Sequence, residues 1–307
     1  MASSRQEPIP LAPAPWTLKG TVYLFMMYLT SQDAAALSSN PHLIYSPLEG
    51  ESSFSKDRLI GGLGTIQLIR YSESPVGPYD EMVLVPGSFE YEVETKGKDG
   101  KAKIEKRKNL RCSRVFVSQE KTCWNGRNNW NIPKHLAHFN FVDLPNGGTQ
   151  ISVHPLLPDA SGKNRIESST PFFTTIFQPI SYFPSFTCST NWAKYVGLDL
   201  DLAQPPLPEG QGVELVGTQR WCKIVPVETS KTTSLGWYDL RQRSEGAGER
   251  DPLLGADRGG TEGLGEEEWE NFWPGLGRWR IGIKMEDTVI GFPEGKHWDG
   301  PNIGERL

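Results

Sequence analysis

The chain of 307 residues predicts a mainly antiparallel β (α+β) fold of sandwich or barrel type. Three observations carry this expectation. Runs of β-branched and aromatic residues recur between turn signals, helical periodicity is confined to short stretches, and strands do not alternate with long helices as a parallel sheet would need. The composition agrees: 32 Gly, 24 Pro and 10 Trp suit a turn-rich chain, and 37% hydrophobic residues supply a sizeable core.

Charge and length exclude several function classes. A net charge of −5 offers no basic face, so no nucleic acid is expected as a partner. The longest apolar run, Val22 to Leu29, is far short of the roughly 20 residues that span a bilayer, so no membrane partner is expected either. Residues 1–15 are polar and proline-rich without a hydrophobic targeting core, and read as a flexible N-terminal arm ahead of a single domain over 16–307. Cys112, Cys123, Cys188 and Cys222 form no CxxC pair. They read as buried thiols in a reducing compartment, and hence as a cytoplasmic protein.

The elements follow in order. The segment from Trp16 to Leu29 is rich in β-branched and aromatic residues and predicts a strand; DAAAL starts a short helix that LSSNPHL ends. IGGLGTIQLIRY predicts a strand whose glycines mark a bulge or a close backbone approach. YSESPVGPYDE is a turn, and EMVLVPGSFEYEVET a long strand broken at Pro86-Gly87. The lysine-rich KGKDGKAKIEKRK reads as a solvated hairpin tip, and RCSRVFVS as a strand with Val115 and Val117 alternating against Arg114 and Phe116. An irregular segment over 119–138 leads into a short helix at KHLAHF, with further strands at FNFVDL, TQISVHPL and TPFFTTIFQPI. Residues 201–212 form a proline-rich connector. GVELVGTQRWCKIVPVE reads as one long strand with Val213, Leu215 and Val216 in the core. Residues 241–268, rich in Gly and charge, read as a disordered insertion, after which Trp279, Ile281 and Ile283 alternate in a last strand.

Few motifs carry chemistry. The chain has no GxSxG, HExxH or GxxxxGK[ST], and GGLG at 61–64 lacks the helix and acidic residue of a dinucleotide site. His135 and His138 sit three apart on the expected helix, where two ligands can share one face, but no third ligand is near in sequence, so no metal site is expected. Lys134 stands out. Pro133 fixes the backbone before it, and Trp130, Ile132, Leu136 and Phe139 surround it in sequence, with Arg127 and His135 as nearby cations. Apolar surroundings and adjacent positive charge both favour a neutral amine, which attacks carbonyls to form a Schiff base. His135 is mostly neutral near pH 7, so desolvation is expected to dominate.

These residues resemble a known family. Gly126-Arg127, five intervening residues and Pro133-Lys134 resemble the G-R-x5-P-K segment of acetoacetate decarboxylase, and Tyr71-Ser72-Glu73-Ser74 resembles its Y-T-E-S segment. SPVGPYDE and NWNIPKHLA are similar to stretches of the fungal branch of that superfamily, with likeness specific over roughly residues 60–142. The resemblance implies a β-barrel or cone enclosing an internal pocket, Lys134 as Schiff-base nucleophile and Glu73 as a catalytic pocket carboxylate. Arg127, His135, Trp130 and Tyr71 are then expected around the substrate. It also implies a small carbonyl substrate, no metal or organic cofactor, and commonly a homo-oligomer. Decarboxylation of a β-keto acid is the first expectation. An imine-dependent aldolase, dehydratase or cyclase of secondary metabolism, and a non-catalytic small-molecule-binding protein of the same fold, are the alternatives. His135 stands where the bacterial enzymes carry a second lysine, Asn128 where they carry a glutamate after Gly-Arg, and no glutamate lies near Gly64-Thr65; Lys19 is the nearest counterpart of an arginine of the family's first strand.

Overall fold

A computed structural model describes residues 8–96, 101–158, 165–240 and 279–300. The expected insertion at 241–268 lies outside the described residues, as do residues 1–7 of the expected arm and residues 97–100 of the lysine-rich tip. The strands are β1 (Trp16–Leu29), β2 (Arg58–Glu73), β3 (Tyr79–Val85), β4 (Ser88–Lys96), β5 (Ala102–Leu110), β6 (Arg114–Val117), β7 (Lys134–Asp143) and β8 (Thr149–Pro158). They continue as β9 (Arg165–Glu167), β10 (Phe173–Pro179), β11 (Phe186–Ser189), β12 (Leu202–Gln204), β13 (Trp221–Ile224), β14 (Val227–Asp239), β15 (Trp279–Phe292) and β16 (Lys296–Trp298). The helices are short: α1 (Ser31–Ser38), α2 (Pro41–Ile44), α3 (Pro47–Gly50) and α4 (Glu120–Trp130).

Nine strands close a barrel in the order β1-β15-β14-β10-β8-β7-β6-β3-β2, with β2 pairing back onto β1. β2 is long enough to leave the barrel at its N-terminal end and join a second sheet, β2-β4-β5-β12-β13-β16. The crossing is made at Gly61 and Gly62, whose φ values of 80° and 94° lie where a side chain is disfavoured. The pairing is antiparallel except for β6–β7 and β5–β12.

Alternation along β1, β2 and β3 buries both faces of the wall. Phe25, Leu68 and Met82 face the lumen, which aromatic side chains fill: Tyr23 meets Phe177 at 5.7 Å and Phe141 at 6.0 Å, and Phe25 meets Tyr238 at 5.0 Å. Leu24, Ile69 and Val83 point the other way, into a separate cluster that continues through Val115, Cys123, Trp130 and Ile132.

Several expectations need correction. KHLAHF is not helical; it opens β7, paired with β6 and β8. The helix lies earlier, at α4, where the buried side is largely polar (Thr122, Asn125, Arg127), so no apolar stripe announces it. KIEKRK is not loop but part of β5, an exposed edge whose Lys106 faces Glu90 of β4 at 3.6 Å. The long strand expected over 212–228 is interrupted: only β13 and the start of β14 pair, Pro226 lacks the N–H a ladder needs, and Val213 is exposed. Trp279 and Ile281 alternate as expected in β15 but both are about half exposed, at 51% each, whereas Ile283 is partly buried. Residues 10–12 are tied down: Asn125 donates to the Pro10 carbonyl and accepts from the Ala12 amide, and Asn129 donates to the Ala12 carbonyl.

Candidate active site

One βαβ unit builds the lysine segment. β6 ends at Val117, α4 crosses, and β7 returns parallel to β6 with Lys134 opposite Val115. The helix stops at Asn131, which takes a left-handed φ of 55°, and its side-chain amide donates to the Pro205 and Arg220 carbonyls. Pro133 sits at the centre of a tight turn in which the Lys134 amide donates to the Ile132 carbonyl at 2.7 Å, and β7 begins at Lys134.

The two halves of the Gly-Arg and Pro-Lys motif touch. A Cβ on Gly126 would stand 2.6 Å from both Cδ and Cε of Lys134, so only glycine lets the lysine stem lie against α4. Arg127 donates through Nη1 to the Lys134 carbonyl at 3.3 Å and to Glu49 Oε1 at 2.9 Å, with both charged side chains fully buried. The spacing is therefore a clamp: the helix supplies a gap for the side chain and a donor for the backbone of the same lysine.

Lys134 Nζ lies 3.2 Å from Glu81 Oε2 and 3.1 Å from Thr122 Oγ1, and 5.2 Å from the centre of the Tyr79 ring. The lysine is 3% exposed and the glutamate 2%. Tyr71 and Tyr79 pack with ring centres 4.4 Å apart, close to Glu81. Burial, reinforced by the Glu81 charge, holds both phenols well above their ordinary range, so each remains a proton-bearing donor.

A cavity of about 470 Å³ opens on this face of the wall, beneath the 3-10 turn Thr190–Val196, and Tyr71, Glu81, Val115 and Ile132 form its end nearest the lysine. Glu81 forms the cavity surface, and Lys134 stands behind it. Glu228, from β14, also lines the cavity; it is 6% exposed, and its Oε2 has no hydrogen-bond partner. Burial pushes its carboxyl up to about 7, against a hydrogen bond from Gln67 and with help from the Glu81 charge. Cys112 is a lining thiol that burial pushes up to about 12, so it is no thiolate nucleophile.

The expected site residues divide. Lys134 and Tyr71 both lie against Tyr79, with Tyr71 on the cavity wall and Lys134 behind it. Glu73 does not join them: it is 64% exposed and pairs with Lys19 at 3.0 Å on the outer rim, so Lys19 is a rim residue too. The reason is depth. Gln67, Ile69 and Tyr71 face the cavity, but Glu73 lies beyond the Tyr71–Tyr79 pair that ends the β2–β3 ladder, whereas Glu81 sits opposite Ile69, further in. Arg127 does not line the cavity but holds α3 and β7 through Glu49 and the Lys134 carbonyl. His135, next along the strand, points away from Lys134 and meets Glu49 Oε2 at 2.6 Å. Burial raises the Glu49 carboxyl, but His135 and Arg127 outweigh it and hold the group below its usual range. Trp130 is likewise outside the cavity, packed edge-on against Trp16 at 5.1 Å and donating to the Pro293 carbonyl. Sequence reasoning missed Thr122, Tyr79, Glu81 and Glu228. Tyr79 and Glu81 lie inside the SPVGPYDE stretch that carried the resemblance, whereas no local signal marks Glu228.

Among the described residues no group of three or more His, Cys, Asp or Glu side chains is placed to hold a metal ion, and no helix is long and apolar enough to cross a membrane.

No family model matches the chain, and no curated protein does. Solved structures do. Acetoacetate decarboxylase from Legionella pneumophila aligns with 98% of this chain and 93% of its own, at 15% identity and a TM-score of 0.51. A second acetoacetate decarboxylase structure aligns over 97% of each chain at 11% identity and a TM-score of 0.52. The chain thus has the acetoacetate decarboxylase fold.

Proposed function

We propose that this protein is a Schiff-base enzyme acting on a carbonyl compound, with Lys134 as nucleophile and Glu81 as its proton carrier. The single observation behind this reading is the buried Lys134–Glu81 contact of 3.2 Å behind the cavity wall that Glu81 forms. The ammonium passes one proton to Glu81. The neutral amine attacks the carbonyl carbon as the π pair moves to oxygen, and a proton shifts from nitrogen to that oxygen. Glu81 returns its proton, the oxygen leaves as water, and an iminium remains. The iminium then draws the electron pair of a bond at the adjacent carbon. Loss of a C–H proton to Glu81 or loss of CO2 from a β-keto acid gives the same enamine. Protonation or addition to a second carbonyl, followed by hydrolysis, frees the lysine.

Decarboxylation is the exit that the Gly-Arg and Pro-Lys likeness favours; aldol, dehydration or cyclisation chemistry shares every earlier step. The SPVGPYDE and NWNIPKHLA stretches support a place in the fungal branch of the superfamily. The buried free thiols Cys112, Cys123 and Cys222 support a reducing, cytoplasmic setting. The test is acetylacetone, whose adduct with a lysine amine is a conjugated enaminone with a new near-ultraviolet band. The band is expected in the wild type and not in Lys134→Met; an equal band in both excludes Lys134, and no band in either favours a binding protein without imine chemistry.

A further inference from the structure

We infer that the cavity takes an uncharged, largely apolar ketone or aldehyde larger than a four-carbon acid, held with its carbonyl at the Glu81–Lys134 end and a polar oxygen against Glu228. The inference rests on the Schiff-base reading of Lys134 and goes further by fixing the substrate class. Size is the first argument. A cavity of about 470 Å³ falls within the range that encloses drug-sized ligands, far larger than a four-carbon acid needs. Its walls include Leu24, Leu63, Val85, Leu110, Leu202 and Ile283.

Charge is the second. Among the described residues that line the cavity there is no Lys, Arg or His; the ionisable carboxyls are Glu81, Asp199 and Glu228. Lys134 behind the wall balances Glu81, and the iminium formed from it carries the same single positive charge. The count is then closed. A substrate carboxylate would enter as an unpaired buried anion facing two further acids, which is costly. Arg127 cannot serve it, because its guanidinium is spent on Glu49 and on the Lys134, Pro208 and Val216 carbonyls.

Glu228 is the third. It is buried and borders the cavity, and its Oε2 has no protein partner but is itself covered, so a substrate oxygen meets the carboxyl at the small surface that Glu228 shows the cavity. A carboxyl so placed meets a neutral oxygen well, as donor while protonated and as acceptor from a hydroxyl. A neutral substrate brings no carboxylate to lose, which sets aside the decarboxylation that the motif likeness alone favours; the enamine then arises by loss of a C–H proton to Glu81, and the exit is carbon–carbon bond formation, bond cleavage or dehydration.

The experiment measures borohydride trapping on the full chain with three probes: methyl heptyl ketone, the same chain with a carboxylate in place of the far methyl, and acetoacetate. Calorimetry with the same probes reports binding independently of the imine. Trapping of methyl heptyl ketone at least about tenfold faster than either acid is expected, with the gap narrowed in Glu228→Gln. Acids trapped as fast as the ketone would overturn the substrate class while leaving the Schiff base intact. No trapping of any probe, with calorimetric binding of the ketone alone, would remove the Schiff base and keep the substrate class. Equal calorimetric binding of ketone and acids would overturn the substrate class in either case.

Discussion

Lys134 and Glu81 form an ion pair of 3.2 Å between side chains that are both almost fully buried. Such a pair is costly to break from one side, because the remaining charge is left without water or partner. Glu81→Leu should therefore lose about 3–5 kcal/mol in urea unfolding, and Lys134→Met a similar amount. The double variant should recover most of that loss. Additive losses in the double variant would show that the two groups do not depend on each other.

Glu228 makes stability depend on pH with an unusual sign. Its carboxyl stands near 7 in the folded chain, against 4.5 for an ordinary glutamate. Between those values the unfolded chain has released the proton that the folded chain keeps, so stability falls as pH rises from about 4.5 to about 7 and levels off above. The full effect is about 3 kcal/mol. Glu228→Gln should raise the melting temperature at pH 8 and flatten the decline between pH 5 and 7. An unchanged profile would mean that the carboxyl is hydrated.

Gly126 tests the clamp. Gly126→Ala places a methyl 2.6 Å from Lys134 Cδ and Cε, inside contact distance. Helix propensity gains up to about 1 kcal/mol, while the lysine stem is displaced. A displacement near 1 Å should slow trapping at Lys134 by roughly 10- to 100-fold with little loss of stability. Unchanged trapping would show that the stem moves freely.

His135 tests direction. It points to Glu49 rather than to the amine. His135→Ala should leave trapping largely intact, lower stability near neutral pH and flatten its decline in acid, since Glu49 loses one of the two groups that hold its proton affinity below that of the unfolded chain. Trapping that disappears with His135 would place the imidazole in the chemistry.

Much of the architecture was legible because the strand signals are local. Alternation in RVFV, the break at Pro86-Gly87 and the β-branched run from Trp16 each depend on neighbouring residues, and all recur in the barrel. Lys134 was legible through its spacing from Gly126 and Arg127, which the clamp explains. The helix expected at KHLAHF lies instead at α4, in the segment that reads as irregular, because that helix buries polar side chains that find partners only in the folded chain. The inward place of Glu81 and the rim place of Glu73 are not legible, because depth along a ladder depends on strand register, which no motif states. Glu228 enters from β14, far along the chain, and only the closing of the barrel brings it to the same cavity as Glu81.

The most direct measurement is intact mass and peptide mapping after borohydride reduction with a panel of short and long ketones. The account predicts one adduct per chain, on the peptide that contains Lys134, and none in Lys134→Met. Adducts spread over exposed lysines such as Lys103 and Lys106, or an adduct that survives Lys134→Met, would contradict it.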